Sequence, residues 1–278
     1  MALIDEATLS QEVESARKQG IDRDAREILR WAHELLGERL MMSTALQKGG
    51  MVLLHMVREL MPDLPVYFLD TGFHFPETLQ FIETLRKDWG INLIFQRPKL
   101  YGEAFKARHG EKPYETNPDF CCHNNKTEPM AELLEHYQGW ITAVRRDQAS
   151  TRANAEPLEL LEGPKLKVQP LAFWGRAQVD SYLQEHRVPL HPLYSQGYSS
   201  IGCAPCTRPC SDPQNERAGR WAGKAKTECG LHTHWKKIDK VDGAGETKPG
   251  TPILVPSVEL LGGIPAARSS DARTGQAG

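Results

Sequence analysis

Residues 65–97, PVYFLDTGFHFPETLQFIETLRKDWGINLIFQR, decide the fold class. PVYFLD is a compact apolar strand that ends at Asp70. The next periodic run opens on Pro76, where a missing N–H costs a helix nothing, and stops at Gly90. INLIFQR is a second short apolar strand. Strands alternating with helices argue for a parallel sheet covered on both faces.

The same alternation extends in both directions. Upstream, residues 24–37 place Ile28, Leu29, Ala32, Leu35 and Leu36 at helical spacing, RLMMSTA (39–45) reads as a buried strand and GMVLLHMVREL as a helix. Downstream come a helix in KTEPMAELLEHY, a strand in WITAV, a last strand in LKVQPL and a helix in RAQVDSYLQEHR. Residues 1–190 are therefore expected to form one α/β domain. Residues 191–240 are rich in Gly, Pro, Ser, Cys and Arg with little periodicity, and are expected to pack on that domain as an irregular C-terminal arm. Residues 241–278 are Gly/Pro/Ser/Ala-rich and are expected to be a disordered tail.

The chain has 278 residues, 40% of them hydrophobic, which suffices for a real core. A formal net charge of -2 gives no global attraction to nucleic acid or to a membrane surface, so any anion site must be built locally. The N-terminus lacks the apolar core of a signal peptide, and no apolar run reaches the length of a membrane span. The expected compartment is the cytoplasm, where thiols stay reduced. Six cysteines in such a compartment read as metal ligands or catalytic thiols before they read as disulfides.

Ligands of open parallel sheets bind beyond the C-terminal strand ends. Three segments stand there. Ser43-Thr44-Ala45-Leu46-Gln47-Lys48-Gly49-Gly50 offers hydroxyls, backbone N–H groups and a helix N-terminus to an anion, or is an ordinary strand–helix turn; it does not match the Walker pattern. In Asp70–Thr78, Thr71 or Asp70 caps the following helix, while Phe73 and His74 suit contact with a base or ribose. Arg145-Arg146-Asp147-Gln148-Ala149-Ser150-Thr151-Arg152 either holds phosphate or sulfate with arginine forks or is a solvated face.

Cys121 and Cys122 are adjacent, and Cys203 and Cys206 form a C-x-x-C pair. Two pairs make a four-thiolate site by arithmetic. Zinc is the usual occupant of paired C-x-x-C motifs. Adjacent ligands diverge along the backbone, which suits the separate corners of a [4Fe–4S] cube better than one small ion. The alternative is two unrelated buried pairs. Lys126, one helical turn after Cys122, either offsets thiolate charge or holds an anion, or is a surface lysine. Cys229 has no partner at short spacing. With His232 after it and Arg217, Arg220, Lys224 and Lys226 before it, it reads as an activated nucleophile on an arm or as a structural thiol.

LDTGFHFPETL, the Cys121–Cys122 pair with Lys126, RRDQASTRA, HPLYSQGYSSIGCAPCTR, ERAGRW and KTECGLH together resemble the bacterial iron–sulfur adenylyl-sulfate (APS) reductases, within the phosphoadenylyl-sulfate (PAPS) reductase family. The resemblance runs from about residue 40 to 235. It implies an adenine nucleotide alpha hydrolase-like fold and assimilatory sulfate reduction. Cys229 would attack the sulfur of APS and expel AMP, and thioredoxin or a similar dithiol would release sulfite from the S-sulfocysteine. By the same resemblance Cys121, Cys122, Cys203 and Cys206 would hold a [4Fe–4S] cluster. Lys126, Arg217, Arg220 and His232 would contact the phosphosulfate, and Ser43, Thr44, Arg145 and Arg146 the nucleotide.

The first loop departs from the commonest version in that family, the arm between ERAGRW and KTECGLH is short, and Cys210 is an additional cysteine expected to be a bystander. The competing readings are a PAPS reductase releasing adenosine 3',5'-bisphosphate, an ATP-dependent thiolase whose Ser-Gly-Gly-x-Asp-Ser loop is missing here, and a zinc-stabilised non-enzymatic module. Oligomeric state stays open, a homo-oligomer included.

Overall fold

The computed structural model describes residues 3–210, 212, 215–235 and 237. In chain order the elements are α1 (Glu6–Lys18), α2 (Ala25–Leu36), β1 (Leu40–Ser43), α3 (Lys48–Leu60), β2 (Val66–Leu69), α4 (Pro76–Trp89) and β3 (Leu93–Gln96). Then follow α5 (Glu103–His109), α6 (Pro113–Thr116), α7 (Pro118–Cys122), a π-helical turn (His123–Thr127), α8 (Glu128–His136), β4 (Gly139–Ile141), β5 (Leu158–Leu161), β6 (Lys165–Val168) and α9 (Arg176–Glu185).

The six strands form one sheet in the order β3-β2-β1-β4-β6-β5. Every neighbouring pair is parallel except β5 with β6, which is antiparallel. The expected α/β class with a parallel sheet holds. Chain direction across the sheet reverses between β1 and β4, the topological switch point where such sheets bind ligands.

Period-two alternation divides the sheet between two cores. Leu40, Met42, Val66, Phe68 and Ile141 face α2, α3, α4 and α9 in the larger one. Met41, Leu69 and Trp140 face Met130, Leu133 and Leu134 of α8 in the smaller. Burying each such side chain contributes roughly 1.5–3 kcal/mol.

Five elements, α1, α5, α6, α7 and β5, lie outside the sequence expectation. Helix α1 is capped by Asp5, whose carboxylate accepts from Thr8 N, and buries only Leu9, Val13 and Ala16. That stripe is too thin to stand out in a polar segment. Strand β5 pairs with β6 across a turn at Glu162–Pro164 in which Gly163 takes φ +78°. Its four residues are too few to show alternation, and the sheet gains an antiparallel edge. The described residues all fall within one compact unit. The tail assigned to 241–278 lies outside the described residues. Among the described residues no helix is long and apolar enough to cross a membrane.

Candidate active site

A cavity opens at the switch point, with about 1060 Å³ of empty space counting its mouth. Ser43 and Thr44 from the end of β1, Phe68 and Leu69 from β2, and Thr142 and Ala143 after β4 form its floor. Ser43 Oγ accepts from Trp140 Nε1 at 2.7 Å, and Thr44 Oγ1 accepts from Leu46 N at 3.0 Å. Helix α3 starts at Lys48, two residues earlier than its apolar run suggests, so Gly49 and Gly50 lie in its first turn. A Cβ on Gly50 would stand 2.7 Å from Thr44 Oγ1. Glycine there lets the helix N-terminus close on the strand end.

The irregular C-terminal arm makes the roof. Ser200 Oγ and Ile201 N both donate to Gln47 Oε1, at 2.9 and 3.1 Å. Gly202 leaves room for Arg220, since a Cβ there would be 2.3 Å from a terminal guanidinium nitrogen. Arg217, Arg220, Trp221, Cys229, Leu231 and His232 complete the lining.

Four buried donors or acceptors on this lining lack a hydrogen-bond partner among the described residues: Arg217 Nε, Arg220 Nε, Trp221 Nε1 and His232 Nδ1. Buried polar atoms are normally paired, so four orphans on one cavity mark a place that a polar ligand satisfies. Arg217, Arg220 and Lys226 all lie against the Trp221 ring, at 5.6, 4.5 and 5.6 Å from its centroid. Trp221 itself takes φ +49°, a strained conformation for a bulky residue.

Charge in the cavity favours a thiolate and an anion. Burial opposes ionisation of Cys229, but Lys126 and the Leu231 N–H outweigh it and lower its pKa below the ordinary thiol value. Burial also opposes the charge on Lys126, yet Cys203, Cys229 and Cys122 raise its pKa. Burial pulls Arg217 down to about 10, with Arg152 adding to the shift. Burial and the flanking cations Arg152, Lys167 and Arg217 drive His232 well below its usual value, so it stands as a neutral imidazole.

A second, narrower cavity is lined by Cys121, Cys122, Cys203 and Cys206 with Thr71, Phe73 and Asn125. Lys126, Arg220 and Trp221 line both cavities and form the shared wall. The π-helical turn, in which Glu128 N bonds to His123 O, carries Lys126 into that wall. Such turns recur at functional sites. Burial, then the neighbouring thiols, push Cys121 up to about 12. Burial pushes Cys122 up to about 11, against the pull of Lys126. Thr71 Oγ1 lies 3.3 Å from Cys203 Sγ. Among the described residues, no three His, Cys, Asp or Glu side chains converge on a point that one metal ion could share.

The structure therefore brings Ser43, Thr44, Lys126, Arg217, Arg220, Cys229 and His232 to one cavity and the four paired cysteines to its neighbour. Arg145 and Arg146 line neither. Arg145 is buried and bonded to Asp147 and Glu216, each at 2.9 Å. Arg146 turns outward to Glu156 at 2.5 Å and over the Phe173 ring. Two short 3₁₀ turns reverse this segment, so Gln148 and Arg152 reach the cavity instead. Strand-end proximity pointed to the run but not to its member. Cys210, whose N–H bonds to Gly197 O, lines neither cavity.

Residues 39–209 match the family model described as the phosphoadenosine phosphosulfate reductase domain. The chain is 40% identical over 220 residues to an adenosine 5'-phosphosulfate reductase of Streptomyces coelicolor, covering 79% of this chain and 92% of that protein. It is 39% identical over 212 residues to adenosine 5'-phosphosulfate reductase 1 of Bacillus subtilis, covering 76% and 91%. Among solved structures, a phosphoadenylyl-sulfate (PAPS) reductase from Candida auris in a phosphate complex aligns with a TM-score of 0.64 at 27% identity, over 74% of this chain and 99% of that one.

Proposed function

Because the chain belongs to the phosphoadenosine phosphosulfate reductase family, we propose that it reduces adenylyl sulfate to sulfite and AMP with Cys229 as nucleophile. One observation carries this reading. Cys229 shares a cavity with Lys126, Arg217, Arg220 and His232, and four buried polar atoms of that cavity await a polar ligand. The curated relatives act on the 5'-phosphosulfate, as their names say.

The thiolate of Cys229 attacks the sulfur of the phosphosulfate. A Cys229 Sγ–S bond forms, the bond from sulfur to the bridging oxygen breaks, and AMP leaves with the electron pair. Lys126, Arg217 and Arg220 hold the phosphosulfate oxygens and offset the negative charge gathering there, and Arg152 with Gln148 takes the place expected of Arg145 and Arg146. Neutral His232 offers a hydrogen bond without adding charge that would compete with Lys126. Ser43, Thr44 and the N-terminus of α3 hold the nucleotide phosphate and ribose end.

Turnover needs an outside two-electron reductant, because splitting the S-sulfocysteine into a free thiol and sulfite consumes two electrons. A dithiol protein such as thioredoxin attacks Sγ of Cys229, and sulfite leaves with the electron pair. The mixed disulfide is then opened by the second thiol, which returns Cys229 as a thiol and leaves the dithiol oxidised by two electrons. This chemistry suits a reducing cytoplasm.

The four cysteines of the second cavity fit a [4Fe–4S] cluster. Their donors are soft, they line one space, and Trp221 Nε1 is an unpaired donor on its wall. A single zinc ion requires four sulfurs about 2.3 Å from one point, and adjacent cysteines on α7, whose side chains diverge along the backbone, suit that less well than the separate corners of a cube. When bound, the cluster supplies fixed negative charge and rigidity behind Lys126.

The test is anaerobic incubation with adenylyl [³⁵S]sulfate followed by peptide mapping. Label on the Cys229 peptide, with release as sulfite on adding thioredoxin, is the expected result. Absence of label there, or label on another cysteine, refutes the assignment. The same assay with the 3'-phosphorylated nucleotide, read as kcat/KM, tests the PAPS reading that the Candida auris likeness keeps in play.

A further inference from the structure

Glu228, the residue before Cys229, accepts four side-chain hydrogen bonds. Glu228 Oε1 accepts from Arg152 Nε at 2.8 Å and Glu228 Oε2 from an Arg152 terminal nitrogen at 2.9 Å, a two-point fork. Oε2 also accepts from Arg217 at 3.1 Å, and Oε1 from Thr151 Oγ1 at 3.2 Å. The side chains of Glu228 and Arg152 are each 8% exposed and that of Arg217 12%. Upstream on the arm, the Lys226 side chain is itself buried but pairs with the exposed carboxylate of Asp119, and Lys224 donates at the surface to the carbonyls of Tyr114 and Glu115.

Glu228 cannot be there to help Cys229 ionise, because a carboxylate beside a thiolate opposes it. Its contacts serve geometry. Arg152 stands on the β4–β5 connection and Arg217 on the arm itself, so the three side chains pin the Cys229 turn to the sheet. Both arginines also line the cavity. Glu228 therefore holds part of the positive charge that an incoming anion would otherwise meet.

We propose that Glu228 is a positioning residue for the sulfur-transfer step: its carboxylate pins the Cys229 turn to Arg152 and Arg217 and tempers the cavity's attraction for the nucleotide. The role rests on the reaction assigned above. It predicts opposite signs for binding and for chemistry, which a merely structural residue would not produce. Without the carboxylate, two buried arginines lose their counterion and bind anions more tightly. The thiol at the same time loses its fixed approach, and misplacement of a reacting atom is costly.

The experiment compares holoenzyme carrying Glu228→Gln or Glu228→Asp with the unaltered protein in three assays. These are AMP affinity by calorimetry, the single-turnover rate of label transfer to Cys229, and the rate of Cys229 carboxamidomethylation without nucleotide at a pH above ~8.5, where the thiol is ionised in either state. Glu228→Gln should bind AMP several-fold more tightly, transfer label at least tenfold more slowly at saturating nucleotide, and alkylate at least fivefold faster. Glu228→Asp should keep the AMP affinity and recover part of the rate. A transfer rate within twofold of the unaltered protein overturns the proposal, as does loss of AMP affinity together with rate. If Glu228→Gln does not fold, Arg152→Lys keeps the charge but not the fork and should slow transfer several-fold; an unchanged rate refutes the pin. Unaltered protein that takes up no label, while the AMP and alkylation shifts hold, overturns the reaction and leaves the pin standing.

Discussion

The imidazole of His232 lies stacked on the indole of Trp140, with centroids 5.3 Å apart and planes 11° from parallel. Trp140 is wholly buried and donates its N–H to Ser43. One indole thus ties the end of β1 to the arm just beyond Cys229. Lys167 lies 5.6 Å from the same ring and donates to the His232 carbonyl at 3.5 Å. Trp140→Ala should lower stability by about 3–5 kcal/mol, as for large-to-small core changes. It should also slow label transfer by more than the stability loss explains. Trp140→Phe keeps a stacking face and should retain most of both, measured by urea denaturation and single turnover.

Lys126 sits in the wall between the two cavities and is the strongest influence that lowers the Cys229 pKa. Lys126→Met removes that charge, so the Cys229 pKa should rise. The thiolate fraction at pH 7 falls, and label transfer slows most at low pH. The midpoint of the alkylation-rate profile of Cys229 should move up toward ~8.5, the free-thiol value. An unmoved midpoint would show that Lys126 holds substrate only.

Much of this was legible in the sequence because it is local. Strand length, the Pro76 start and the Gly90 stop of α4 follow from a few neighbouring residues, and the structure keeps them. The four paired cysteines and Cys229 could be singled out because a thiol is rare and its chemistry narrow. What was not legible depends on direction in space. Arg145, Arg146 and Arg152 are alike in composition, and only the two 3₁₀ turns after β4 decide that Arg152 enters the cavity while Arg145 is spent on Asp147 and Glu216. Trp221 and Glu228 stood beside recognised residues without a signal of their own. Their importance comes from what the fold leaves unpaired, the Trp221 N–H, and from what it pairs across the chain, Glu228 with Arg152.

Gly202 tests how tightly the roof fits Arg220. A Cβ there meets three guanidinium atoms at 2.3, 2.5 and 2.7 Å, and Arg220 has little freedom because it packs on Trp221. Gly202→Ala should displace Arg220 and weaken AMP binding roughly tenfold, ~1.4 kcal/mol. The fold should persist, since the clash falls on the end of a side chain. Calorimetric AMP affinity and an unchanged far-ultraviolet spectrum check this.

His191 predicts how the fold responds to acid. It is buried; Nδ1 accepts from Leu193 N at 3.2 Å and Nε2 lies 2.9 Å from Thr78 Oγ1. Burial lowers its pKa from 6.5 to about 4. The unfolded chain therefore takes up a proton that the folded chain refuses as pH falls below 6.5. Stability from this group is complete above that value and is lost as pH falls to about 4, by about 1.4 kcal/mol per pH unit. The His191 ring resonances should not titrate above pH 5, and the urea midpoint should fall over that window. His191→Asn should flatten the fall while lowering stability at pH 7, where the ring's packing on Phe81 is lost.

Cys210 is the residue on which the division of six cysteines turns. It is half-buried, its N–H bonds to Gly197 O, and its side chain faces the Gly219 turn rather than the cavity of Cys121, Cys122, Cys203 and Cys206. Serine replaces its sulfur with little change of shape, so Cys210→Ser should keep iron content, the visible absorption of the cluster and label transfer within twofold. Cys203→Ser should behave oppositely. Cys203 is buried on the four-cysteine cavity with Thr71 at its sulfur, and a hydroxyl there is a poor soft ligand. That variant should lose most of its iron on purification. Iron retained in Cys203→Ser but lost in Cys210→Ser would move the fourth ligand to Cys210.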